Sequence, residues 1–117
     1  MLLTHIDYLI GLDIMGFTPA DSSINQFRKK NRAESVRTLW TNDKNERFYF
    51  HPSSSAEHSR QLIHHMAQNN YEFRIYYNRE KWICSFSNNE SHFGVSSNDN
   101  EAICLAALKA YVEDSTI

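Results

Sequence analysis

Glycine is scarce in this chain: Gly11, Gly16 and Gly94 are the only three among 117 residues. A loop that cradles phosphates needs several glycines within a few positions, and the G-x-S-x-G elbow of hydrolases needs two around a serine, so neither can be written. Cysteine is sparser still. Cys84 and Cys104 stand far apart with no C-x-x-C pair, which excludes thiol metal knuckles and dithiol redox motifs and leaves two buried free thiols as the plain reading. Long apolar runs are absent as well. The longest, Ala102 to Leu108, falls far short of the roughly 20 residues a membrane span needs. The opening MLLTHIDYLIGLD has no Lys or Arg before its apolar stretch and carries Asp7 and Asp13, unlike a secretion signal. The expected location is the cytoplasm. Positive charge is not in excess either: the formal net charge is -2 and the pI about 6.3, so no global field holds nucleic acid or an anionic membrane.

What is present suits a core. With 41% hydrophobic and 13% aromatic residues, residues 1–117 are expected to form one domain. Thr4 and Asp7 approximate a capping box, and Ile6, Leu9, Ile10 and Ile14 recur at helical spacing up to Gly16, predicting a helix over 5–15. Asp13 projects near the middle of that stripe and reads as a rim carboxylate or a fraying last turn. The pattern is lost from Thr18 to Arg37, a stretch read as a loop with a short helical turn around 22–30. TLW (38–40) and RFYF (47–50) flank the polar tetrad TNDK as a hairpin, closed by Pro52. Ser54 and Glu57 have capping-box spacing ahead of Leu62, Ile63, Met66 and Ala67, predicting a helix over 55–69. Strict alternation in YEFRIYYNREKWICSFS predicts two strands around a turn at Asn78 to Lys81, and HFGVS (92–96) a third.

The last helix is expected over 99–113, capped by Asn98. On a helical wheel Cys104, Leu105, Leu108, Tyr111 and Val112 share one side, opposite Ala102, Ala106, Ala110, Ile103 and Ala107. The bulky side suits a sheet; the alanine row suits close contact with a second helix, of this chain or of another copy. The order α-β-β-α-β-β-β-α implies an α+β class and a layered αβα sandwich on a mainly antiparallel sheet.

Charge is unevenly distributed. In FRKKNRAESVR (27–37), Arg28, Lys29, Lys30, Arg32 and Arg37 face one Glu34, a net of +4, so the remaining 106 residues carry -6. A solvated loop explains such a run. So does an interface for nucleic acid, a nucleotide or an acidic protein, in which the five must act together, because an exposed pair contributes only about 0–1 kcal/mol.

The six histidines do not make a metal motif. His58, His64 and His65 lack H-x-x-x-H spacing, and His58 to His65 spans roughly 10 Å of helix. An ion there would need ligands from elsewhere, such as His51 or His92. No spacing singles out a catalytic triad or carboxylate pair, so neither an enzyme nor a cofactor is expected. Tyr71, Phe73, Tyr76, Tyr77, Trp82 and Phe86 cluster on one hairpin, mostly as core. Tyr76 is the exception: it points away from Tyr77, beside Glu72 and Arg74, and if that face is uncovered it is a stacking platform or protein hot spot.

IDYLIGLDIMGF at the start, a capped helix after a Pro-Ser segment, YEFRIYYNREKWICSF, and the closing AICLAALKAY together resemble the phage ABA sandwich domain family. Over roughly residues 4–17 and 51–112 the likeness follows the family's I-D-x-L-V opening ending in M-G-W, its Y-x-W-x-C-x-F type hairpin, and its A-I-C-L-A-A-L-K-A helix. Phe17 stands where the family has Trp. The resemblance implies helices on both faces of a central sheet and a phage or prophage origin, and carries no reaction or catalytic residue. Residues 18–47 depart from the pattern, which makes the basic stretch at about 18–37 an insertion. These readings lead to a small non-enzymatic binding protein acting in the bacterial cytoplasm. The expected target is a host defence protein or protein–nucleic-acid complex, blocked stoichiometrically in the manner of an anti-CRISPR, with Arg28, Lys29, Lys30, Arg32 and Arg37 in the interface. The alternatives are a sponge for a nucleotide immune signal or a nucleic-acid-binding accessory protein, either using the basic loop. Self-association as a homodimer is a further expectation.

Overall fold

The computed structural model describes residues 3–20 and 38–114. The first helix, α1 (Leu3–Leu9), runs without a break into a π-helical turn, Ile10–Ile14, marked by the Met15 N–H donating to Ile10 C=O at 2.9 Å. A π turn holds more residues than an α turn, so Ile6 and Ile10 stay in the core while Asp13 rotates out to solvent. Asp13 is thus the rim carboxylate that the sequence suggested, carried there by the widened turn although its wheel position falls within the apolar stripe. Gly16, at φ 73°, ends the helix as its sequence position predicts, and Phe17 N–H closes back on Gly11 C=O at 2.9 Å.

Two short sheets follow. The first joins β1 (Thr18–Pro19), β2 (Leu39–Thr41) and β3 (Arg47–Tyr49), all antiparallel, with Pro19 opposite Trp40 and Trp40 opposite Phe48. The β2–β3 pair is the predicted hairpin. Strand β1 was read as loop, because two residues are too few to show alternation; as an edge strand it also tolerates a proline. The expected helical turn around 22–30 lies outside the described residues. Trp40 is 1% exposed and rests against Gly11, and Phe17 meets Trp40, Phe48 and Phe50 at ring distances of 6.1, 4.8 and 5.2 Å. This aromatic group pins the first sheet to the π turn.

Helix α2 (Ala56–Gln68) is capped by Ser55, one residue after the serine that spacing suggested: His58 N–H donates to Ser55 Oγ at 3.2 Å. Its Leu62 and Met66 are buried. The second sheet is the predicted meander of β4 (Glu72–Asn78), β5 (Lys81–Ser87) and β6 (Ser91–Ser96). Across it Phe73, Phe86 and His92 share one face with Ile75, Cys84 and Gly94, while Tyr76, Ile83 and Val95 share the other with Arg74, Ser85 and Phe93.

Helix α3 (Asp99–Asp114) has Asn98 as its cap, the side chain accepting from Glu101 N–H at 3.0 Å. It lies on β5 and β6, rotated from the expected orientation so that Ala102 and Ala106 meet the sheet beside Leu105. Ala102 and Ala106 press onto Gly94, where a Cβ would stand 2.3 Å from Ala102 O and 2.4 Å from Ala106 N. Methyl groups, not bulky side chains, allow a helix to approach a sheet this closely. Tyr111 and Val112 accordingly turn outward, at 38% and 56% exposure. Ala102 and Ala106 are thus occupied by the chain's own sheet, and Ala110 is buried within the same chain, which removes the row as a contact for another copy. The α+β class and the helix-on-sheet sandwich follow the sequence reading, with one short strand added and the strands divided between two sheets.

Candidate functional site

Arg28, Lys29, Lys30, Arg32 and Arg37, the residues sequence reasoning placed in an interface, lie outside the described residues. Tyr76 lies within them, and strand alternation places it correctly: it is 53% exposed on the outer face of the second sheet. Phe93 and Val95 join it there at 47% and 52% exposure. Between them lies Ile83, opposite both Tyr76 and Val95 and half-buried. The sheet therefore presents one face to α3 and, on the other, an apolar row to solvent beside the exposed Glu72–Arg74 pair. At the adjoining tip, Arg79 and Glu80 both hold left-handed backbone, with φ of 53° and 65°. A two-residue turn of this kind favours Asn-Gly, and two side-chain-bearing residues there cost conformational energy that the turn alone does not require.

A second group of residues sits at the far end of α3. His92, from β6, is fully buried, with Nδ1 2.8 Å from Glu113 Oε2 and Nε2 3.2 Å from Asp114 Oδ1. Asp114 Oδ1 is close to Nε2 but makes no hydrogen bond with it. Tyr71 Oη donates to Asp114 Oδ2, and Asn88 Nδ2 reaches the same oxygen at 3.4 Å. The Tyr71 hydrogen bond, helped by the His92 charge and Asn88, holds Asp114 below the ordinary carboxylate range against the opposing effect of burial. Burial, reinforced by the hydrogen bond to Asp114 and its charge, pushes Tyr71 up to about 12. Sequence reasoning named His92 only as a ligand that would have to come from elsewhere. The signals for this group were Glu90 in a turn two positions before His92 of the following strand, and a last helical turn that is acidic with no basic residue.

Beside this group opens a pocket of about 220 Å³, walled by Asp13 and Ile14, by His65, Met66 and Asn69, and by Tyr71 and Tyr111. Its lining has aromatic faces and a carboxylate but no Lys or Arg, so it suits a neutral or cationic group and not a phosphate. The cysteines stay out of this chemistry. Both are buried free thiols; burial raises Cys84 to about 12 and Cys104 well above its usual value, which keeps them protonated and unreactive. His58 is also structural: its Nδ1 accepts from His51 N–H at 3.0 Å.

Among the described residues no helix is long and apolar enough to cross a membrane. No curated protein matches the chain. Among solved structures, a phage protein from Bacillus cereus ATCC 14579 superposes with a TM-score of 0.68 over 94% of this chain and 92% of that one, at 17% identity, a likeness of fold alone. The profile of the phage ABA sandwich domain matches residues 9–108, and the chain belongs to that family.

Proposed function

We propose that this phage ABA sandwich protein works by stoichiometric binding and not by catalysis, and that its target is a protein component of bacterial host defence. The observation that carries this reading is the outer face of the β4–β6 sheet, where Tyr76, Phe93 and Val95 are each about half exposed around Ile83. Exposed aromatic and branched side chains held on a rigid sheet are the usual anchors of protein interfaces, because they lose little conformational freedom on binding. The strained Arg79–Glu80 tip continues this surface. The basic stretch 27–37 adds a charge that would speed encounter with an acidic partner. A defence component is the target class because a phage protein without a reaction of its own benefits the phage by blocking a host protein in the cytoplasm. A nucleotide-sequestering role is less well supported, since the one aromatic-walled pocket described has no cation for a phosphate.

The test pairs Tyr76→Glu with Val95→Glu, both solvent-facing, and separately reverses Arg28, Lys29, Lys30 and Arg32 to Glu. Circular dichroism should show each variant folded. Phage plating on hosts carrying individual defence systems, with pull-down of the protected system's components, is the readout. Loss of both protection and capture in the Tyr76→Glu/Val95→Glu variant supports the reading. Wild-type protection by that folded variant overturns the role of the sheet face, and no protection by the wild-type protein in any host overturns the anti-defence role.

A further inference from the structure

We propose that Glu90, His92 and Glu113 form a binding site for a single first-row divalent cation, independent of the protein-binding face. The ligand atoms of these three residues lie within 4.8 Å of one another, although they come from three places in the fold. Glu90 is at the β5–β6 turn, held by Asn88 N–H donating to Glu90 C=O at 3.2 Å; His92 is the second residue of β6; Glu113 is in the last turn of α3. Turn, strand and helix end converge because Ala102, Ala106 and Gly94 bring α3 down onto β6.

His92 gives the cluster its direction. It is fully buried, while Glu90 and Glu113 are exposed, so the ring has no freedom to turn away and solvent can complete the coordination sphere. With no ion present, Nδ1 faces the Glu113 carboxylate at 2.8 Å and must carry the proton of that contact, since a carboxylate only accepts. An ion at Nδ1 requires the other tautomer of the neutral ring, with its proton on Nε2. That nitrogen has no hydrogen bond, yet lies 3.2 Å from Asp114 Oδ1. A carboxylate that accepts from the other ring nitrogen orients a ligating histidine and strengthens it; Asp114 Oδ1 stands within reach of that role. Here Asp114 is itself fixed by Tyr71 and Asn88.

The electrostatics also favour a cation. A helix C-terminus carries partial negative charge, and α3 places Glu113 and Asp114 there with no basic residue in its last turn. Glu90 adds a third carboxylate. One imidazole with two carboxylates suits Zn²⁺, Co²⁺ or Mn²⁺; Mg²⁺ prefers oxygen ligands throughout.

The experiment uses the untagged full chain after chelator treatment, titrated with ZnCl₂ by calorimetry and with CoCl₂ by visible absorption, and with MgCl₂ as the control. The expected result is one saturable Zn²⁺ site, visible Co²⁺ bands, and no Mg²⁺ binding. Glu90→Gln, an exposed substitution, should weaken Zn²⁺ by about tenfold or more and abolish the rise in melting temperature that Zn²⁺ gives the wild-type protein. Unchanged Zn²⁺ affinity in folded Glu90→Gln protein means the ion sits elsewhere, for example on His64 of α2, and overturns the proposal. So does the absence of saturable binding by the wild-type chain. His92→Gln should lose binding, and its reading depends on circular dichroism showing a native fold; Glu90→Gln decides the matter if it does not fold.

Discussion

Asp7 and Ser53, separated by 46 positions, meet in the interior: Asp7 Oδ1 accepts from Ser53 N–H at 2.9 Å and Oδ2 from Ser53 Oγ at 2.8 Å. Both residues are buried, at 6% and 2% exposure. The I-D-x-L opening and the Pro-Ser segment before α2, two separate parts of the family resemblance, are thus one interaction. It anchors α1 to the turn from which α2 starts.

Replacing Asp7 with Ala leaves the Ser53 N–H and hydroxyl without these acceptors in a buried place. The expected loss is about 3 kcal/mol, since an unsatisfied buried polar group costs about 1–3 kcal/mol. Urea unfolding followed by circular dichroism measures it. Asp7→Asn, which keeps one acceptor oxygen, should cost less. If Asp7→Ala is neutral, the pair contributes nothing net to stability.

Gly94→Ala should destabilise by about 3 kcal/mol, the upper part of the range for overpacking. The new Cβ meets backbone atoms, Ala102 O and Ala106 N, along with Leu105 Cβ at 3.0 Å. Trimming a side chain cannot relieve a clash with backbone, so Leu105→Ala should not rescue it. Gly16→Ala is the control: nothing lies within 4 Å of its Cβ, and only the left-handed backbone penalises it, by about 1–2 kcal/mol. Melting curves of the three variants separate packing from backbone strain.

The thiols supply a pH dependence. Cys84 is raised to about 12 by burial, with the Asp99 charge adding to it. The folded state thus holds this proton more tightly than the unfolded chain does. Its contribution is fully present below the unfolded value of about 8.5 and is lost as pH rises toward 12. Stability measured between pH 8 and 11 should decline, and the decline should lessen in Cys84→Ala relative to that variant's own value at pH 8. Native protein should resist a thiol reagent at pH 8 and react fully in denaturant. Rapid labelling of the native protein would contradict the burial described.

Local pattern alone located most of the elements. Period-two alternation from Tyr71 to Phe86 specified the hairpin and the outward direction of Tyr76, because strand side chains must alternate. Asn98 marked the start of α3, since a helix N-terminus leaves N–H groups that a side-chain oxygen can accept. Gly16 marked the end of the first helix for a comparable backbone reason.

The folded structure decided the rest, twice through contacts distant in sequence and once through a local departure from α-helical hydrogen bonding. The wheel of α3 showed two faces but not which one would meet the sheet; Gly94 decided it, by leaving room for a row of methyl groups. A π turn, set by the Met15 N–H to Ile10 C=O bond, moved Asp13 out of the stripe that α-helical geometry had given it. The meeting of His92 with Glu113 and Asp114 depends on how far down the sheet the helix lies. Residue types and spacing carry local conformational preference. The convergence of ligands from a turn, a strand and a helix end exists only once packing has set the distances among them.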